Sequence, residues 1–248
     1  MSKCAIALMD PSLEGKSLLP WKEKGYECWS YHPDHKGEGE TSQGIKTCHI
    51  KTQDWSWKNI PDDYRIGSGG SYLTEFKELF EKHYGKVAFT AIFPPHANLS
   101  YMGSQWWGKK ALTNPDFQEE SISLAMTLRT LAQEWGSPYY IENPAGVLSK
   151  SDYLGLECMI MEPYDYGGYL DDTDYALYGN EEVLPKGDWY RRRRWIWTGN
   201  ELKLPEKRAT DWKGDIQSVM TNKRKDKRIL QDYPPRGFNK AICEVNHG

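Results

Sequence analysis

The sequence lacks the features that define several classes of protein. No apolar run approaches the ~20 residues that a helix needs to span a bilayer, so we expect no membrane association. The five cysteines are an odd number and include no Cys-x-x-Cys pair, which argues against a disulfide framework and a zinc ribbon. The N-terminus carries no signal-peptide pattern, and we therefore expect a cytoplasmic protein.

Positive charge is concentrated towards the C-terminus. Residues 186–248 carry 16 lysines and arginines against eight acidic residues, whereas residues 1–185 carry 16 against 27. Tryptophans and tyrosines lie between the basic residues of this C-terminal part. Such a mixture is typical of a surface that binds a phosphate backbone and stacks bases. The alternatives are a solvated charged face, or arginines neutralised by the acidic residues between 150 and 186. The longest arginine run comprises Arg191, Arg192, Arg193 and Arg194.

The hydrophobic pattern alternates between short strands and helices. Such alternation implies an α/β fold with a mostly parallel central sheet, in which ligands sit beyond the carboxyl ends of the strands. We predict a single domain over residues 1–248, completed by the basic part at 186–248. The predicted strands are 4–9, 26–31, 45–50, 87–93 and 138–142; the helices are a short one ending at 24, 74–83 and 115–135, the last with Asn114 as N-cap and Pro115 as its first residue.

Two consecutive strand ends carry the most informative motifs. Phe93-Pro94-Pro95-His96 follows one predicted strand, and Ile141-Glu142-Asn143-Pro144 follows the next. Adjacent prolines form a stiff platform, because each fixes φ and removes a backbone donor. A carboxyl and an amide at the neighbouring strand end can hydrogen-bond the edge of a planar group. We therefore predict a pocket for a planar ligand between these two motifs.

Together with Asp10-Pro11-Ser12 and residues 20–28, these motifs resemble the cytosine-C5 DNA methyltransferase superfamily, especially its compact phage and prophage members. The similarity continues through 163–172, 195–200 and 235–242 and covers most of the chain. It implies a Rossmann-like methyltransferase fold that binds S-adenosyl-L-methionine and acts on a base in DNA, with RNA as the alternative nucleic acid. For a phage-encoded protein the expected location is the cytoplasm of a bacterial host.

The resemblance assigns roles to individual residues. A flipped base would lie between His96 and Glu142, with Pro95 and Asn143 completing the catalytic pocket. The nucleic acid would contact the arginine run and Trp106, although Trp106 and its neighbour have the alternative of packing beneath the proline loop. The residues implied to bind the cofactor are Asp10 and Gly15 beside its methionine part, Asp34 at the ribose hydroxyls, Asp54 near the adenine, and Pro94.

The sequence departs from the family pattern in three ways. His96 occupies the position of the family's cysteine, whose thiolate must attack the cytosine ring before carbon C5 becomes nucleophilic. Only Gly15 remains of the glycine-rich cofactor turn, and little room is left for a target-recognition domain. We therefore keep three readings of His96: non-covalent transfer to an exocyclic amine, an inactive protein that binds nucleic acid or a host protein as a modulator, and a different transfer chemistry.

Two weaker candidates complete the list. His32, His35, Cys48 and His49 resemble a metal-ligand set, but their spacing matches no standard zinc site, so we predict no metal. Cys158 lies in an apolar, strand-like run, which predicts a buried core residue. The less favoured role for Cys158 is that of a substitute for the missing thiol.

Overall fold

A computed structural model describes residues 3–50, 74–150, 152–171, 174, 188–211, 214–215 and 234–248. The strands are β1 (Cys4–Leu8), β2 (Glu27–His32), β3 (Gly39–Glu40), β4 (Lys46–His49), β5 (Val87–Ile92), β6 (Tyr139–Asn143), β7 (Cys158–Met161), β8 (Tyr190–Arg191), β9 (Arg194–Gly199) and β10 (Gly214–Asp215). The α-helices are α1 (Leu19–Glu23), α2 (Thr74–His83), α3 (His96–Leu99), α4 (Trp107–Thr113), α5 (Phe117–Glu134), α6 (Val147–Lys150) and α7 (Arg236–Asn246). Short 3-10 helices span Lys16–Leu18, Tyr101–Trp106 and Pro163–Tyr169.

Eight of the strands form one sheet in the order β3-β4-β2-β1-β5-β6-β9-β7. The five strands from β4 to β6 pair in parallel, while β3, β9 and β7 join antiparallel to their neighbours. All five residues of β1 are buried, as expected for a strand covered on both faces. The α/β class and the mostly parallel sheet are thus confirmed, and the arrangement is compatible with a Rossmann-like fold.

The chain reverses its direction of travel across the sheet beside β1. The strands β2 and β4 are added on one side of β1, whereas β5 and β6 are added on the other. In open α/β sheets, the crevice at such a switch point, outside the carboxyl ends of the strands, is where ligands bind. Here β1 leads into Asp10 and β5 leads into Pro94, so both regions border this crevice, and the Glu142 motif after β6 lies one strand further along the sheet.

The start of the long helix α5 differs from the prediction. It begins at Phe117, and Asn114 instead caps the end of α4. The Asn114 side-chain oxygen accepts the backbone N–H of Asp116 at 3.1 Å, which favours a turn over a helical start. The predicted apolar stripe of α5 is confirmed, since Leu124, Leu128 and Leu131 are buried.

Several short elements were not predicted from the sequence. They include α3, α4 and the two-residue strand β3, which are too short to show a hydrophobic period. The prediction that Cys158 is a core residue is wrong. Its strand β7 pairs on one side with β9 at the end of the sheet order, and Cys158 is exposed there.

The basic C-terminal part contributes to the sheet and to its cover. Strand β9 lies between β6 and β7, and α7 packs against the 3-10 helix Pro163–Tyr169 and against α1. A buried ion pair between Asp188 and Arg236 anchors the start of α7. Within the described part of the chain, no helix combines the length and the apolar character needed to cross a membrane.

Candidate active site

Four polar side chains from α3, β6 and β9 meet at the carboxyl end of β6. His96 begins α3, Glu142 and Asn143 end β6, and Arg194 begins the neighbouring antiparallel strand β9. Arg194 Nη1 donates to Glu142 Oε1 at 2.7 Å, and both side chains are only 1% exposed. Because β9 runs antiparallel to β6, its first residue arrives beside the last residues of β6.

The proline platform is fastened to the same strand end. Asn143 Nδ2 donates to the Pro94 carbonyl at 3.1 Å, and the backbone N–H of Leu99 donates to the Pro95 carbonyl at 3.2 Å. This places His96 Nε2 3.6 Å from Glu142 Oε2. The structure therefore brings together Pro95, His96, Glu142 and Asn143, as the sequence motifs predicted.

The cluster contains four buried polar atoms that have no hydrogen-bond partner among the described residues. Buried polar atoms in folded proteins are nearly always paired, so each exception calls for an explanation. A group of them at one strand end, beside the switch point of the sheet, is the arrangement expected of a ligand site. The four atoms are His96 Nε2, Glu142 Oε2, Asn143 Oδ1 and Arg194 Nε.

The imidazole of His96 is neutral at physiological pH. Burial lowers its pKa to about 4, and the positive charges of Arg194 and Arg192 act in the same direction. The Glu142 carboxylate opposes this shift without overcoming it. The cluster thus combines an arginine, a carboxyl group paired with it, an amide and an uncharged imidazole, a set that suits a planar polar ligand.

The arginine run is divided between the interior and the surface. Arg194 is buried against Glu142 and is therefore not placed to contact a phosphate backbone. Arg191 and Arg193 are exposed, and Arg192 is half-buried. The Glu162 carboxylate holds this segment, because it accepts the backbone N–H of Arg192 at 2.8 Å and Nε of Arg193 at 3.3 Å.

Part of the remaining basic charge is neutralised within the chain. Lys207 pairs with Asp165 at 2.9 Å. Lys240 pairs with Asp174 at 2.7 Å and with Asp171 at 3.1 Å. The sequence alternative, in which the acidic segment neutralises arginines, holds for Arg193 with Glu162, and the same segment also pairs with these two lysines.

The turn after β1 is organised by Asp10. Its fully buried carboxylate accepts hydrogen bonds from the backbone N–H and hydroxyl groups of Ser12, at 2.8 and 2.6 Å, and of Ser17, at 3.1 and 2.5 Å. Gly15 has a left-handed φ of 66°, and an added Cβ would lie 2.8 Å from Ser30 Cβ. Asp10 and Gly15 therefore stabilise the turn itself. The Asp-x-Ser sequence is typical of a turn in which an aspartate side chain accepts a backbone N–H two residues later.

A second carboxylate near the crevice remains accessible. Asp34 follows β2, its side chain is 73% exposed, and its backbone N–H donates to His32 Nδ1 at 3.1 Å. An exposed carboxylate at this strand end can accept hydrogen bonds from a pair of hydroxyl groups, so Asp34 fits a ribose-containing cofactor, whereas the engaged Asp10 carboxylate does not. The predicted adenine contact, Asp54, lies outside the described residues.

An exposed apolar surface follows the proline loop. Trp106 is 57% exposed, whereas Trp107 lies on the loop with its indole N–H donating to the Ala97 carbonyl at 3.4 Å. Helix α4 buries none of its residues. Lys150 flanks this surface, with its ammonium 5.1 Å from the centre of the Tyr101 ring. Of the two readings for Trp106, exposure favours contact with a ligand over packing beneath the loop.

In the part of the chain that the structure describes, neither a metal-binding group nor a thiol lies at this cluster. Among the described residues, no three histidine, cysteine or acidic side chains form a metal-binding group. Four of the five cysteines are buried, and the exposed one, Cys158, has a pKa raised by partial burial. Cys158 faces Trp197, three residues beyond Arg194, which places it about 10 Å along the strand from the pocket.

Sequence reasoning missed the role of Arg194. The run of four arginines suggested a uniform basic surface, and only the strand register reveals that its last member turns inward to Glu142. The available signal was the apolar stretch that follows Arg194, which predicts a buried strand.

In comparisons with known proteins, no family model matches the chain and no curated protein matches it significantly.

Proposed function

We propose that this protein is an S-adenosyl-L-methionine-dependent methyltransferase that acts on a base in DNA. The observation that carries this proposal is the group of four unpaired, buried polar atoms on His96, Glu142, Asn143 and Arg194. A flipped base offers a flat edge of alternating donors and acceptors, which this group is suited to pair. The resemblance of the surrounding motifs to DNA methyltransferases supports the same reading.

The position of the pocket beside the switch point supports a neighbouring cofactor. Asp34 would hold the ribose hydroxyls, and the Pro94 carbonyl edge would border the cofactor beside the pocket. S-adenosyl-L-methionine supplies an electrophilic methyl group when it is bound. The chain's own contribution is to hold the base by its polar edge, to exclude water around the buried Glu142–Arg194 pair, and to keep His96 neutral.

Exposed side chains on the segments that adjoin the cluster would contact DNA. Arg191 and Arg193 would contact phosphates, and Trp106 offers an aromatic face for stacking. Arg194 belongs to the base pocket in this proposal.

The proposal is tested in two steps. Calorimetry first measures whether S-adenosyl-L-methionine binds, and the Asp34→Asn variant should bind it more weakly than the wild type. The protein is then incubated with DNA and cofactor labelled on the methyl group. Label recovered in the DNA supports the proposal, and its loss in Glu142→Gln would locate the chemistry at this pocket. Absence of cofactor binding would contradict the proposal.

The alternative function is that of an inactive, methyltransferase-like protein that binds nucleic acid or another protein as a modulator. It is favoured by the closed turn after β1, in which the Asp10 carboxylate is fully engaged by Ser12 and Ser17 and Gly15 packs against Ser30. DNA binding without cofactor binding would support this alternative. DNA binding is measured by the same calorimetry in the absence of cofactor.

A further inference from the structure

We propose that the pocket accepts an exocyclic amino group of the base, and that His96 takes the proton which this amine releases on methylation. This inference rests on the proposed function, which left the methylated atom open. It assigns His96 a catalytic role and names the substrate atom as a nitrogen.

The thiol chemistry that a ring carbon requires is missing from the pocket. Carbon C5 of cytosine becomes nucleophilic only after a thiolate adds to the ring. All five cysteines lie within the described residues; four are buried, and Cys158 lies on β7, away from the pocket. An amino nitrogen already carries a lone pair and needs no such activation, so it is the acceptor that this set of residues can serve.

The geometry of the two facing atoms fits an amine. His96 Nε2 and Glu142 Oε2 lie 3.6 Å apart, and neither has a hydrogen-bond partner among the described residues. An amino nitrogen placed about 2.9 Å from both atoms would donate one N–H to each. Arg194 Nη1 occupies the other oxygen of the carboxylate, which leaves Oε2 to face the ligand.

His96 accepts the proton that the amine releases when it is methylated. The amine nitrogen bonds to the methyl carbon while the carbon–sulfur bond of the sulfonium breaks, and that electron pair stays on sulfur as a neutral thioether. The nitrogen is then cationic and loses one N–H proton to the uncharged imidazole. The Glu142 carboxylate, 3.6 Å away, stabilises the resulting imidazolium until the proton passes to solvent.

Binding of an amino group is measured directly on His96, without catalysis. Protein labelled with ¹⁵N-histidine gives a signal for Nε2 of His96, which its disappearance in His96→Gln assigns. The probes are 2′-deoxycytidine and 2′-deoxyadenosine at millimolar concentration, each compared with its counterpart dimethylated on the exocyclic nitrogen. We expect at least one parent nucleoside to shift the signal, with an affinity about tenfold higher than that of its dimethylated form. No shift, or equal shifts within each pair, would overturn the inference.

The methylated atom is identified in parallel. DNA that has received a labelled methyl group is digested to nucleosides, and mass spectrometry distinguishes N-methyl from C5-methyl products. N-methyl products support the inference, and 5-methylcytosine would overturn it while leaving the proposed function intact. An amino-selective shift with no label in any DNA would contradict the proposed function and leave the amino-binding pocket standing. His247→Gln, a change away from the pocket, serves as the matched control in both experiments.

Discussion

Two arginine–carboxylate pairs are buried in this molecule, and they differ in whether both carboxylate oxygens accept hydrogen bonds. Asp188 accepts Nε and Nη2 of Arg236 at 2.9 and 2.7 Å and the backbone N–H of Gly237 at 3.0 Å. Glu142 accepts Nη1 of Arg194 at 2.7 Å and has a second oxygen without a partner. The first pair is closed within the chain, whereas the second is open.

This difference distinguishes an ion pair that only stabilises the fold from one that can also hydrogen-bond a ligand. Burying an ion pair costs desolvation energy, which is recovered only when the remaining hydrogen-bonding positions are filled. In the Asp188 pair, the backbone N–H of Gly237 at the start of α7 fills the second carboxylate oxygen, and these bonds attach α7 to the core. The Glu142 pair leaves the carboxylate oxygen Oε2 without a partner among the described residues, and His96 Nε2 lies 3.6 Å from that oxygen.

The largest effect is expected from opening the closed pair. Asparagine, like aspartate, tolerates the left-handed φ of 48° at position 188, but Asp188→Asn removes the negative charge that pairs with the buried Arg236. We expect a loss of about 3–5 kcal/mol in the free energy of unfolding, measured by urea denaturation. Glu142→Gln also removes a counter-charge but should lose less, about 2 kcal/mol, because the glutamine amide can keep its oxygen on Arg194 and place its nitrogen at the unpaired Oε2 position, whereas both oxygens of Asp188 accept donors. Equal losses would erase the distinction between the two pairs.

The open pair should dominate activity instead. Glu142→Gln replaces an oxygen that accepts from the ligand by an amide that donates, so methyl incorporation into DNA should fall about 100-fold. The exposed Glu134 at the end of α5 provides the matched control, and Glu134→Gln should retain full incorporation. If Glu142→Gln kept wild-type incorporation while losing stability, the pocket would be structural like the Asp188 pair.

Acid should destabilise the protein through two histidines, the buried His83 beside Tyr31 and the half-buried His96 beside Glu142. Burial lowers the pKa of both His83 and His96 to about 4. The unfolded chain binds these protons near pH 6.5, so stability present above that pH is lost as pH falls towards 4, at about 1.4 kcal/mol per pH unit for each histidine. Urea denaturation across pH 4.5–7 measures this slope.

Single variants assign the two contributions. His83→Gln and His96→Gln should each remove one share of the slope. A bound pocket ligand should change only the share of His96, since His83 is closed off by its 2.6 Å hydrogen bond to Tyr31. An unchanged slope in both variants would contradict the assignment.

The smallest effect concerns the exposed surface beside the open pair. Trp106→Ala should weaken DNA binding by about 1 kcal/mol, the lower end of the range for stacking on one base. Its free energy of unfolding should change by less than about 0.5 kcal/mol, because the side chain is mostly exposed. Tyr84→Ala, another exposed aromatic residue, should leave DNA binding unchanged. Equal effects of the two variants on DNA binding would remove Trp106 from the interface.

The sequence was sufficient for the framework of the sheet. The apolar runs at 4–9 and 87–93 predicted β1 and β5, and the motifs after β5 and β6 predicted that His96 and Glu142 would meet. Local pattern carries this information because buried parallel strands are continuous apolar runs.

The remaining features depend on contacts between distant segments. The apolar stretch after Arg194 is the one local signal that separates it from the exposed Arg193, and it does not predict the ion pair with Glu142, which arises from the pairing of β9 with β6. Asp10 was expected at the cofactor, and its engagement with Ser17 depends on how the turn folds back on itself. Cys158 was expected in the core because the apolar sequence pattern of a strand is the same whether or not a neighbouring segment covers it, and Cys158 is exposed.

The insertion of β9 between β6 and β7 has a consequence for the newly made chain. Before residues 194–199 leave the ribosome, β6 is an outer strand of five residues with unpaired backbone groups. Bare apolar strand edges of this kind template aggregation. A truncation ending before residue 190 should therefore accumulate in inclusion bodies, because β6 is paired on both sides only once residues 194–199 are present.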